Sequence, residues 1–170
     1  MTLSFLGTLI CMLIMRPIET FLTQNSPYGV LDLEFMLTPD QATRILAAWG
    51  SEGIAKEIFV TYVDMGFLVS YSVLISFLNL IIIRSCLKKQ IFLPNQSFPI
   101  IIGFFFPFIA AIFDLIENLN LLTVMHNPIE IPRFAPAIAT IFASLKFGFL
   151  IISILFCVLL LLIGFIRKNS

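Results

Sequence analysis

"FFFPFIAAIFDLIENLNLLTV" runs from Phe104 to Val124. Most of it reads as a helix embedded in lipid, since about 20 residues rising about 1.5 Å each cross a bilayer. Yet Asp114, Glu117 and Asn118 stand well inside the run. They are spaced i, i+3 and i+4, so they share one helix face. An ionised carboxylate at depth costs on the order of 2.5–3.5 kcal/mol even on the milder insertion scale. That face has to point at other helices, which makes the run one member of a bundle.

The rest of the chain supplies the other members. Of 170 residues, 59% are hydrophobic and 12% charged, and the mean hydropathy is +1.05. A soluble domain carries roughly 25% charged residues. Spans are expected at about 3–22, 54–83, 98–125 and 134–166, in a single membrane domain covering 1–170. The expected fold class is all-α: an integral membrane four-helix bundle with a short amphipathic extracytoplasmic helix. The first run is interrupted by Arg16, Pro17 and Glu19. It lacks a basic start, and Arg16-Pro17 stands where a signal peptide places small residues, so it reads as a retained helix.

Charge orients the spans. Arg84, Lys88 and Lys89 follow the second, Arg167 and Lys168 follow the fourth, and no acid accompanies them. The positive-inside rule puts both places in the cytoplasm, and both termini with them. Segment 23–53 and "HNPIEIPR" (His126 to Arg133) then face outside. All ten acids fall on that side or within the spans.

Several function classes drop out. The three cysteines are Cys11 and Cys157 in spans and Cys86 in the cytoplasmic loop. They read as packing residues, not a disulfide framework. Zero formal net charge and the lack of a basic stripe give no argument for nucleic acid. There is no HExxH, CxxC, Gly-rich phosphate loop or Ser–His–Asp set, and His126 stands alone. No metal and no cofactor is expected.

The outer segment opens with turn residues, "TQNSPYG" (Thr23 to Gly29), followed by "VLDLEF" (Val30 to Phe35). The alternation in the second string sets Leu33 and Phe35 toward the protein and Asp32 and Glu34 away from it. Next comes "TPDQATRILAAWG". Thr38 is a good N-cap, Pro39 suits the first helical position, and Gln41 completes a capping box. Ala42, Ile45, Leu46 and Trp49 form one apolar face, and Gly50 is a natural stop. This amphipathic helix is either a connector lying at the interface or a lid over what the spans enclose.

Partners for "FDLIEN" are sought at the same depth. Counted from the cytoplasmic anchors at 1.5 Å per residue, Asp64 and Lys146 lie about 30 Å up, Glu117 about 28 Å and Asp114 about 24 Å. Arg16 lies about 20 Å from Leu3. Arg16, Glu19, Asp64, Asp114, Glu117 and Lys146 thus form one layer toward the outer leaflet. Tyr71 lies seven residues after Asp64, on the same face. Above the layer the second and fourth helices stay apolar and need cover from the outer segment. The candidate ligand-binding set is Asp64, Tyr71, Asp114, Glu117, Asn118, Lys146, Arg16 and Glu19, capped by Asp32, Glu34 and Trp49. Two readings stand side by side. Lys146 with Asp64 or Asp114, and Arg16 with Glu117 or Glu19, can be pairs that hold helices in register. Four acids against two bases leave an excess that binds a cation, a proton or a basic ligand group. Two further features bear on packing. Ala135, Ala139 and Ala143 make a small-residue ridge, and Pro107 frees the carbonyl of Gly103.

The strings "LDLEF", "AWG", "DMGFLVSY", "DLIEN" and "LKF", spread from Leu31 to Phe147, resemble a group of small four-helix bacterial membrane proteins of no known activity. The resemblance implies the bacterial inner membrane as the location and carries no site residue. The expected function is an outward-facing intramembrane polar pocket that binds a small amphiphile, lipid group or cation. Its alternatives are a membrane-embedded acid–base enzyme, an isomerase or a lipid-modifying one, and an accessory subunit with structural ion pairs. Membrane lipids, and a membrane-protein partner or a second copy, are the expected partners.

Overall fold

A computed structural model gives the fold of residues 1–88 and 100–169, with side chains described over 1–85 and 100–163. Lys89, position 98 and the side chains of Cys86, Lys88, Arg167 and Lys168 lie outside the described residues. Every described element is helical. They are α1 (Thr2–Asn25), α2 (Val30–Glu34), α3 (Pro39–Lys88), a π-helical turn (Ile101–Phe105) running into α4 (Phe106–His126), and α5 (Ala135–Asn169). Four of these helices are long and apolar enough to cross a membrane.

The sequence explains where they start and bend. At the start of α3, the backbone N–H of Gln41 donates to Thr38 Oγ1 (3.3 Å), and Gln41 Oε1 accepts from the N–H of Leu37 (2.7 Å). The side chains replace the missing helical partners of these donors. At Gly50 the backbone takes φ 65°, ψ −177°. Only glycine enters this conformation without strain, so α3 breaks there and changes direction before continuing. "VLDLE" forms a short helix and not an alternating strand, with Asp32 Oδ2 accepting the N–H of Gly29 (2.7 Å). The helical period turns Leu33 and Glu34 inward and leaves Phe35 exposed.

Packing divides the molecule by depth. Leu22, Leu33, Met36, Ala42, Ile45, Leu46 and Trp49 join Leu121, Met125, Ala135 and Ala139 in one apolar cluster. The outer segment thus roofs the upper ends of α4 and α5. Trp49 Nε1–H donates to the carbonyl of Tyr28 (2.9 Å), so the roof is tied polar to polar at its rim. Below it, α5 packs most extensively on α4, and α1 lies against α3. Ala135, Ala139 and Ala143 are all buried. A Cβ at Gly7 of α1 would come 2.7 Å from Ser70 Oγ, so that contact requires glycine or a shift. Leu22 is the buried residue of α1, and Leu3, Phe5, Met12 and Leu13 are exposed. That is how a lipid-facing helix distributes its side chains.

Below the polar layer, α3 supplies what Pro107 takes away. Proline has no N–H, so it cannot bond the carbonyl of Gly103 four residues back. Asn79 Nδ2 donates to that carbonyl (2.8 Å), and Ser76 Oγ–H donates to the carbonyl of Phe104 (2.8 Å). Asn79 also donates to Ser153 Oγ (2.8 Å), which joins α3, the π-helical turn and α5 in one buried lock.

Candidate functional site

Lys146 is the hub of the polar layer. Its Nζ donates to Asp114 Oδ1 (3.0 Å), stands 2.8 Å from Glu117 Oε2 and reaches Glu34 Oε1 at 3.5 Å. The contact to Glu117 is a charge contact whose angles fall short of a hydrogen bond, since neither Glu117 oxygen has a hydrogen-bond partner. Tyr71 Oη–H donates to the other oxygen of Asp114 (2.9 Å), and Asn118 Nδ2 donates to Asp64 Oδ2 (2.7 Å). Asp114, Glu117, Asn118 and Lys146 are all buried. The i, i+3, i+4 spacing on α4 faces the bundle because Lys146 on α5 and Asp64 and Tyr71 on α3 meet it there.

Beside the hub is a cavity of about 420 Å³. Its polar end is lined by Glu34, Glu57, Thr61, Asp64, Asp114, Asn118 and Lys146, and its apolar end by Phe67, Leu74, Ile75 and Leu150. Of the expected site residues, Asp64, Tyr71, Asp114, Asn118 and Lys146 line it, and Glu117 is held against it by Lys146. Arg16 and Glu19 are elsewhere. Both are exposed on α1 and border a separate cleft with Leu9, Met12 and Phe67. Glu117 takes Lys146 instead of Arg16.

The three capping residues take three different parts. Trp49 belongs to the roof, and Asp32 caps its own helix and is exposed. Glu34 enters the cavity. Burial holds its carboxyl above the ordinary carboxylate range, against the opposing pull of the Lys146 ammonium. Thr140 Oγ1–H contacts the carbonyls of Glu34 and Met36, so α2 is fastened to α5 at the cavity rim.

Glu57 is a site residue that the depth count passes over. It is 2% exposed, lines the cavity, and its Oε2 has no hydrogen-bond partner. A signal for it was present: Glu57, Asp64 and Tyr71 are spaced i, i+7 and i+14, on one face of α3. Among the described residues no cluster of three His, Cys, Asp or Glu side chains is arranged to hold a metal ion. Chemically, the cavity offers carboxylates in excess of ammonium at one end and hydrocarbon at the other. Compared with known protein families, curated proteins and solved structures, the chain matches none of them.

Proposed function

We propose that this is a multi-pass protein of the bacterial inner membrane whose cavity, opening toward the outer side, binds a small amphiphile. The observation that carries this reading is the cavity's own polarity. Four carboxyl groups and one ammonium line it, with a fifth carboxyl, that of Glu117, held by the same ammonium, and most of the remaining lining is apolar, Phe67, Leu74, Ile75 and Leu150 among it. Ligand sites of about 300–1,000 Å³ with a few convergent polar groups are the usual form for small-molecule binding. The basic residues after the second and fourth spans support cytoplasmic termini and an outward roof made by 23–53.

The test is native mass spectrometry of the protein purified in a nonionic detergent. The expected result is one tightly held amphiphile per chain, lost in Val60→Phe, which fills the cavity from α3. Val60 lines the cavity and is buried. A monodisperse protein that never carries such a mass, in either form, would favour the accessory-subunit reading. The observation behind that second reading is that Lys146 joins α2, α4 and α5 by itself, as a structural tie would.

A further inference from the structure

The carboxylates around the cavity are not equally served. Lys146 answers Asp114, Glu117 and Glu34. Asp64 receives a neutral amide donor from Asn118, and Glu57 Oε2 receives none. Among the described residues no basic side chain lies within ion-pair distance of Glu57 or Asp64. The two stand seven residues apart on one face of α3, about 10 Å along the axis. A carboxylate buried this far without a partner is costly, so it is neutralised by a proton or by a cation that enters.

We propose, resting on the amphiphile reading above, that the occupant is an amphiphile with a cationic head, an amine or quaternary ammonium, seated between Glu57 and Asp64. Three observations converge on it. An anionic head would meet unpaired carboxylates, while the Lys146 ammonium is already engaged by three acids. The Phe67 ring, packed 5.2 Å from Tyr71, lines the cavity one turn along α3 from Asp64, and an aromatic ring attracts an ammonium group. Its lining on α3 runs from Glu57 to Ile75, about 27 Å of helix, and its volume of about 420 Å³ has room for a hydrocarbon tail below the head. The tail runs past Phe67 toward Leu74 and Leu150.

The experiment compares heads on one tail. The full chain in a maltoside detergent is titrated with dodecyltrimethylammonium, dodecyl phosphate and a neutral dodecyl glycerol ether, and binding is read by native mass spectrometry. The expected result is one cationic amphiphile per chain, bound at least about tenfold more tightly than the other two. Glu57→Gln with Asp64→Asn, which keep shape and remove charge, should erase that preference. Equal or tighter binding of the anionic or neutral head overturns the cationic assignment and leaves the amphiphile pocket standing. Retention of the preference in the double variant does the same. Saturable binding of none of the three overturns the pocket itself. If the double variant is not monodisperse, the head comparison on the unaltered chain and on Glu57→Gln alone decides.

Discussion

Lys146 is the residue on which the site turns. It neutralises two carboxylates of α4 at 2.8 and 3.0 Å and reaches one of α2 at 3.5 Å. Removing one partner of a buried pair leaves the other charge uncompensated, at a cost of about 3–5 kcal/mol. Lys146→Met alone should therefore lose about that much in reversible unfolding in mixed micelles. Adding Asp114→Asn and Glu117→Gln should recover most of it; a harmless Lys146→Met would remove Lys146 from the hub. Glu34 gives a second test, in pH. Its carboxyl binds a proton more readily docked than free, because burial raises it from an ordinary value of 4.5. The docked state is then fully favoured below that value and loses stability as pH rises through the higher, docked range. The thermal midpoint should rise on acidification from pH 8 to pH 5, and Glu34→Gln should flatten part of that rise. A Glu34→Gln profile parallel to that of the unaltered chain would show that Glu34 does not titrate on docking. The acids on α4 were legible because a carboxylate inside an apolar run has few places to point. Glu57 was not, because it lies near the start of its span, where an acid reads as belonging to the interface.

At the scale of elements, local rules worked where the partner was local. The capping box of Thr38 and Gln41, the apolar stripe to Trp49 and the break at Gly50 are all contained within a dozen residues. The alternating string "VLDLEF" misled, because a period of two over six residues also fits one turn and a half of helix, and Leu33 and Glu34 turn inward together. Pro107 announced an unpaired carbonyl at Gly103, but the identity of its donor depends on a contact between residues 24 apart in sequence. That contact can be tested by a double-mutant cycle. Asn79→Ala should cost about 1–3 kcal/mol, the penalty for leaving a buried carbonyl unpaired. Pro107→Ala restores a backbone N–H at that position, so Asn79→Ala should cost clearly less in its presence. Equal costs in the two backgrounds would mean that Asn79 does not serve the carbonyl freed by the proline.

At the scale of the whole molecule, hydropathy made four long helices legible, because a bilayer demands length and apolarity whatever the packing. It could not say which helix sits centrally. The structure draws most of the cavity lining from α3, α4 and α5, with α1 adding Thr8 and Met15, and leaves Arg16 and Glu19 exposed at a neighbouring cleft. Orientation across the membrane rests on a different physical effect, the retention of basic segments on the cytoplasmic side. Arg84 is exposed at the end of α3, and Arg167 and Lys168 end the chain's last helix. Single cysteines in a background with Cys11, Cys86 and Cys157 replaced by serine can read this directly in intact cells. A membrane-impermeant maleimide should label positions 126–131 and the exposed positions among 24–38 from outside. Positions 86–92 should label only after the membrane is opened. The buried positions 33 and 36 serve as internal controls, since they should stay slow on either side while the roof is closed. Rapid labelling of position 90 in intact cells would invert the molecule. The cavity with its carboxylates would then open toward the cytoplasm, and the amphiphile it binds would have to come from the inner leaflet.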